Sequence, residues 1–507
     1  MKKLIAARRL SQVIFFSVFV YILWSTTYPL KGFILPEKIF YFDPLVMFAV
    51  SAVNRLWLPG IIFAVIVSLL SVVFTRFFCG WICPLGSMMD LFGNFNKKKI
   101  VLNDRQNAVS RKIKFFILAA VVLSAFMKVQ IVWIFDPLVI AARFVSLNLI
   151  PAATAGVDNT LIGVIKTFGL YEGPVYELYG FLRTNFLGVK VVYFNNALLI
   201  FAFFAVIAAV NLFIPRAWCR FICPLGAIYG LLGKIGLLQR EVKGCVDCGV
   251  CAKNCRMGAI KKDISYVKSE CVLCMDCIYD CSPAGTSFNI KYPMGPALKT
   301  VEKKQDGAPA AKKGITRNQF LFIVFSSILS LGFKFKDPFR KNSKFIRPPG
   351  SLNEDHFSDR CIRCGNCMKV CPTNVLQPVL FEGSMQDIWT PHLVADIGYC
   401  EYNCKLCTDV CPTGAIRKIS LDEKKNIKIA SSKIDRTICW AWEEKENCIV
   451  CEEHCPVPSK AIKIKEETHN GMILKKPVVD EYLCIGCGIC QNKCPVRPER
   501  AIRIYKP

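Results

Sequence analysis

Two stretches, CVDCGVCAKNC at 245–255 and CVLCMDCIYDC at 271–281, share one cysteine spacing, C-x2-C-x2-C-x3-C. Three thiolates in so short a loop wrap one corner of an iron–sulfur cubane, and the fourth reaches the neighbouring cluster. The pair predicts two [4Fe–4S] clusters, one on Cys245, Cys248, Cys251 and Cys281, the other on Cys271, Cys274, Cys277 and Cys255. Four more quartets follow. CIRCGNCMKVCP (361–372) and CIGCGICQNKCP (484–495) keep the spacing, CEYNCKLCTDVCP (400–412) widens the first gap to three residues, and CWAWEEKENCIVCEEHCP (439–456) widens it to eight. Six quartets take 24 of the 28 cysteines. A disulfide scaffold is excluded because such scaffolds are short secreted chains. Zinc does not call for paired triplets with a distal fourth ligand.

The four remaining cysteines lie in CGWICPLG (79–86) and CRFICPLG (219–226), each at the end of an apolar run. Four runs, near 12–30, 57–75, 115–135 and 195–214, reach the length needed to span a bilayer core of about 30 Å. Lys2, Lys3, Arg8 and Arg9 precede the first, and Lys97, Lys98, Lys99, Arg105, Arg111, Lys112 and Lys114 join the second to the third. Basic loops stay in the cytoplasm, so the N-terminus lies inside and the chain returns inside near residue 216. The same rule accounts for much of the net charge of +27, which argues against a nucleic-acid partner. FDPL recurs at 42–45 and 135–138, and RFFCGWICPLGSMMDLFG (76–93) matches RAWCRFICPLGAIYGLLG (216–233). The unit is span, FDPL, span, Cys-x-x-x-Cys-Pro, used twice in one orientation, as in repeats related by an axis along the membrane normal. An additional outer segment, about 147–194, carries no assignment.

Asp43 and Asp136 admit two readings: caps for helices that open on proline, or carboxylates at the outer interface that take protons from a quinol. Arg55 and Lys128 snorkel to the interface or mark a site within the membrane. The four histidines all fall at or after His356, and no Cys-x-x-Cys-His occurs, so no haem is expected in the membrane half. No Gly-rich dinucleotide fingerprint is present, and no flavin is expected.

With these motifs in place, residues 1–300 resemble NapH-type membrane proteins. Residues 335–507 resemble NapG/MauM-type ferredoxins, from the IRPPG lead-in (346–350) through FSDRCIRCGNC to the closing CIGCGIC. The resemblance implies a fusion of two quinol dehydrogenase components of periplasmic nitrate reductase systems, passing electrons to an extracytoplasmic reductase or cytochrome. From other four-cluster ferredoxin subunits it implies that the first motif pairs with the last and the middle two with each other. Cys361, Cys364 and Cys367 would then take Cys494; Cys484, Cys487 and Cys490 would take Cys371; Cys400, Cys404 and Cys407 would take Cys455; Cys439, Cys448 and Cys451 would take Cys411. VEKKQDGAPAAKKG (301–314) reads as a flexible charged linker. TRNQFLFIVFSSILSLGF (316–333) resembles a twin-arginine export signal with asparagine in place of the second arginine, a fifth crossing. A crossing there puts 335–507 on the extracytoplasmic side and leaves 236–300 in the cytoplasm; an interfacial or packed helix instead leaves both in the cytoplasm.

The expected architecture is a membrane α-helical bundle, four spans in two parallel repeats with a fifth at 316–333, plus α+β ferredoxin-like iron–sulfur domains. Its parts are a membrane domain (1–235), a two-cluster domain (236–300), the linker and short apolar segment (301–334) and a four-cluster domain (335–507). The expected function is quinol oxidation at the inner membrane, among lipid, with electrons relayed through six [4Fe–4S] clusters. A metal-reducing or oxidase-assembly accessory ferredoxin is the alternative. Cys79 with Cys83, and Cys219 with Cys223, are spaced to share a helix face. Brought together by the repeat, the four thiols make a seventh metal centre, a redox-active set or simple packing.

Overall fold

The computed structural model describes residues 2–506 apart from 29, 31–33, 97–98, 101, 188–191, 244, 282–284, 291–344, 381 and 470–471. The linker, the export-like segment and the fifth crossing lie outside the described residues. The principal helices are α1 (Lys2–Trp24), α2 (Pro44–Asn54), α3 (Ile61–Phe74), α4 (Pro84–Gly93), α5 (Asp104–Phe126), α6 (Pro137–Phe168), α7 (Ala197–Phe213) and α8 (Pro224–Lys234). The chain divides into two compact units, one of 1–19, 39–141 and 203–336, the other of 20–38, 142–202 and 337–507.

In the first unit, α2, α3, α5 and α8 enclose a core that includes Leu45, Val46, Val50, Ala64, Val121 and Ala227. The cysteine-rich module that follows is closed by an antiparallel ribbon, β1 (Leu238–Val242) against β2 (Thr286–Ile290), paired from Leu238↔Ile290 to Val242↔Thr286. In the second unit, antiparallel ribbons alternate with cysteine loops. These are β3 (Leu376–Pro378) on β4 (Pro391–Leu393), β5 (Ser431–Ile434) on β8 (Ile502–Tyr505), and β6 (Ile462–His469) on β7 (Met472–Val479). The segment left unassigned from the sequence belongs to this unit and packs on its cysteine-rich part. Asn374 Nδ2 donates to Tyr193 O at 2.7 Å, Asn195 N–H to Gln377 Oε1 at 2.9 Å, and the Arg143 guanidinium lies 4.1 Å from the Trp389 ring.

The helices depart from the expected spans. Among the described residues, two are long and apolar enough to cross a membrane, Lys3–Trp24 and Pro137–Phe168. The second and fourth expected spans fold as shorter apolar helices of 14 and 17 residues, α3 and α7. The third coincides with the latter half of α5, whose first half is charged. The 32-residue α6 was not anticipated. Arg143, Asp158 and Lys166 interrupt its apolar pattern in the sequence, and inside the second unit Arg143 and Asp158 are buried.

His392, on β4, packs against the Phe345 ring at 5.4 Å. Burial, with the Arg347 guanidinium adding to it, lowers its pKa to about 4. An unfolded histidine binds its proton near pH 6.5 whereas the folded one stays neutral, so stability falls as pH drops from 6.5 towards 4. His392→Gln is expected to remove that part of the acid sensitivity, seen as a shallower loss of melting temperature between pH 7 and pH 4.5.

Candidate functional site

Each cysteine loop is short, and the local backbone sets the thiols. The residue after the second cysteine turns left-handed at Gly249, Gly365 and Gly488, and at Met275 in the one regular quartet without glycine there. In the first module the structure brings together most of the expected partners. Cys251 lies near Cys245 and Cys281, and Cys271, Cys274 and Cys277 lie near Cys255. In the second unit the structure brings together sets that differ from the expected pairing. Cys361, Cys364, Cys367 and Cys411 line one small cavity, and Cys455, Cys484, Cys487 and Cys490 another. Cys400, Cys404 and Cys407 meet Cys371, while Cys439, Cys448 and Cys451 meet Cys494.

First therefore pairs with second, and third with last. Each pair flanks one hairpin, β3–β4 or β6–β7, which folds the second motif back onto the first. The 245–281 module does the same through the Ile260↔Tyr266 bridge. The two pairs touch where Cys400 N–H donates to Cys487 O at 2.8 Å. No cysteine forms a disulfide.

The Cys-x-x-x-Cys-Pro motifs do not place both thiols on one helical turn. Proline at the first position of α4 and α8 holds the preceding residue extended, so Cys83 and Cys223 are N-caps, with ψ of 120° and 111°. Cys79 and Cys219 sit in the preceding turns. All four are buried and lie within electrostatic reach of one another. The Gly226 N–H donates to Cys223 Sγ at 3.3 Å, and Gly86 makes the equivalent bond to Cys83. Burial pushes the Cys219 thiol up to about 11.

Two arginines absent from the sequence-derived site cross between the repeats. Arg76 Nη2 donates to Cys219 O at 2.9 Å, and Arg216 Nη1 to Cys79 O at 2.8 Å. Their signal was present in the repeat, since each precedes its first cysteine by three residues. The glycine that recurs as Gly86 and Gly226 also has a reason at its first position: a Cβ on Gly86 would lie 2.6 Å from Cys79 O. Arg76 pairs with Glu270 at 2.7 Å, which also receives Lys114 at 2.6 Å. Arg216 forks onto Asp90 at 2.8 and 2.7 Å. The cluster loop beyond seats directly on the first motif: Trp81 Nε1 donates to Leu273 O at 3.0 Å and Thr75 Oγ1 to Cys271 O at 3.3 Å.

Asp43 and Asp136 cap their helices. Asp43 Oδ1 accepts from Leu45 and Val46 N–H at 2.9 and 3.2 Å, and Asp136 Oδ1 from Leu138 and Val139 N–H, both at 2.9 Å. Both are fully buried, and the two carboxyl groups approach each other within hydrogen-bond reach.

A 4Fe-4S binding domain family matches residues 56–103 and again 196–243, each with two cysteines; a 4Fe-4S dicluster domain matches 360–415, and a further 4Fe-4S binding domain 477–498. The methylamine utilization ferredoxin-type protein MauM of Methylorubrum extorquens is 34% identical over 171 residues, 32% of this chain and 74% of that protein. The chain belongs to the MauM/NapG family of ferredoxin-type proteins. Ferredoxin-type protein NapG of Escherichia coli is 32% identical over 168 residues, 31% of this chain and 69% of its own length. A putative electron transport protein, YccM of Escherichia coli, is 25% identical over 232 residues, 44% of this chain and 54% of that one. No solved structure matches. This MauM/NapG-type ferredoxin is thus an iron–sulfur electron-transfer protein, with the family likeness to MauM and NapG covering about a third of its length.

Proposed function

We propose that this chain is a membrane-bound quinol dehydrogenase component, taking electrons from quinol and relaying them through iron–sulfur clusters to an extracytoplasmic reductase or cytochrome. The observation that carries the reading is the succession inside the first unit. A buried carboxylate pair and the thiols of Cys79 and Cys83 lie within electrostatic reach of Tyr229 between them, and Trp81 of the same motif donates to Leu273 O of the 271–274 cluster loop at 3.0 Å. Apolar side chains on α1, α3 and α7 support a lipid surround: Val13, Leu69 and Leu198 are 62%, 62% and 77% exposed, where a water-facing surface would carry polar groups.

Six [4Fe–4S] clusters are held by the 24 cysteines in the pairings above. Cys79, Cys83, Cys219 and Cys223 hold a further iron–sulfur centre shared by the repeats. The donor set fits: four buried thiols, two N–H···S bonds, and two guanidiniums beside them to offset thiolate charge. Iron–sulfur clusters accept and pass single electrons. The protein positions them, excludes water and manages protons. Asp43 and Asp136 act as the proton acceptors. The 236–300 module is cytoplasmic and 335–507 extracytoplasmic; protease accessibility in intact cells tests that placement.

The central test is bleaching of cluster absorbance by ubiquinol or menaquinol in membranes holding the full chain. Bleaching by either is expected. No bleaching by any quinol, with reduction of copper ions instead, would establish the metal-reducing alternative.

A further inference from the structure

Between α2 and α5 lies a cavity of about 480 Å³, lined by Leu45, Phe48, Ala49, Ser51, Ala125 and Ile228 among others, with Arg55 and Trp57 at one end. Its volume is in the range of small-molecule sites, and its walls are almost wholly apolar. One buried polar atom lines it, Ser51 Oγ, which has no hydrogen-bond partner among the described residues. At the end formed by Leu45 and Ile228, the neighbouring residues in the chain are polar. Asp43 begins the helix that carries Leu45, and Tyr229 follows Ile228.

Tyr229 is fully buried, its ring 5.5 Å from that of Phe78, and its hydroxyl has no hydrogen-bond partner among the described residues. It lies within electrostatic reach of Asp43 and Asp136 on one side and of Cys79 and Cys83 on the other. The second oxygens of Asp43 and Asp136 are likewise buried and receive no donor, apart from whatever proton the two acids share. A buried polar atom without a partner costs about 1–3 kcal/mol, and three lie within electrostatic reach of one another behind the wall that Leu45 and Ile228 form. A ligand bearing hydroxyl groups at the end of an apolar body satisfies them.

We propose that this cavity is the quinol site and that Tyr229 relays the quinol proton to the Asp43–Asp136 pair. The inference rests on the quinol-oxidising reading above. Two carboxylates in contact in a buried site hold one proton between them, since both cannot ionise together. The ionised oxygen of the pair accepts the Tyr229 proton as Tyr229 Oη takes one from the quinol hydroxyl. An iron–sulfur centre held by cysteines of the first unit would accept one electron; the pair releases its additional proton to water, and the same transfers serve the second proton and electron. Quinol is oxidised to quinone, two one-electron acceptors are reduced, and the protein groups end as they began. Tyr229 is a catalytic proton relay, and Met89 stands at its place in the other repeat.

The test uses the full chain, short-chain ubiquinol and menaquinol analogues, and the rate of cluster bleaching, with dithionite bleaching to measure cluster content. Tyr229→Phe is expected to slow quinol bleaching about a hundredfold, in the range of lost proton-transfer assistance. It should leave the dithionite response intact and the melting temperature equal or higher, because the hydroxyl it deletes has no partner. Asp136→Asn, which still caps α6, is expected to flatten the pH dependence of the rate. Ala52→Phe, filling the cavity, should raise the half-saturating quinol concentration about tenfold, the order of a lost apolar contact; Ser51→Ala provides a milder variant should it fold poorly. Wild-type rate and pH profile in Tyr229→Phe, or unchanged saturation in both cavity variants while wild type is bleached by quinol, would overturn the site and leave the quinol reading standing. A wild-type chain that no quinol bleaches would end both.

Discussion

Asp90→Asn is expected to destabilise the first unit by about 3–5 kcal/mol, the usual cost of removing one partner from a buried ion pair. Asp90 is the common acceptor for Arg8, Arg216 and Arg256, at 3.4, 2.7 and 3.3 Å, and for Gln12 Nε2 at 2.8 Å. The guanidiniums hold its carboxyl well below the usual range. Substitution leaves the almost fully buried Arg8 and Arg216 without their principal counter-charge. Arg216 is also the group that reaches Cys79 O, so its displacement should loosen the thiol set. Arg256, from the cluster-bearing module, keeps Asp276 at 2.5 Å, so the module should lose one of its tethers, not all. Chemical denaturation followed by helix content and by cluster absorbance measures both effects. Wild-type stability in Asp90→Asn would show that the network carries no net energy.

The duplicated motif makes this asymmetry informative. Arg216 finds its acid on α4 of the opposite repeat, whereas Arg76 finds Glu270 in the cysteine module. The position equivalent to Asp90 is Gly230, where a Cβ would lie 3.1 Å from Ser269 O. A carboxylate at that position would crowd the module, and the module instead supplies Glu270 to Arg76. Glu270 is consequently the more deeply buried of the two anchors.

What could be read from residues alone follows the range of each interaction. Cysteine spacing is local, so the quartets and the sets of the 245–281 module were legible. The cross-repeat arginines were visible as a repeated letter, but their role depends on the two repeats facing each other. Tyr229 carried no signal, because Met89 replaces it in the other copy. Asp43 and Asp136 were correctly seen as caps, yet their mutual contact needed the tertiary fold. Proline and glycine at 59–60 start α3 later than the hydropathy run suggests, and polar residues that face the second unit's interior hid α6.

Cys411→Ala is expected to remove the cluster of the first C-terminal quartet and to leave that of the third intact. Under the arrangement inferred from other four-cluster ferredoxins, Cys411 completes the set of Cys439, Cys448 and Cys451. In the structure it lines the cavity of Cys361, Cys364 and Cys367. Combining substitutions separates the two. Residues acting on one cluster are non-additive, and those acting on different clusters add. Cys361→Ala with Cys411→Ala should therefore lower iron content by about four atoms per chain, no more than either alone, because one cubane holds four irons. Cys439→Ala with Cys411→Ala should lower it by about eight. The reverse pattern would restore the first-with-last arrangement. Sequential pairing would make each hairpin a two-cluster module, with the Cys400–Cys487 contact as the junction between them.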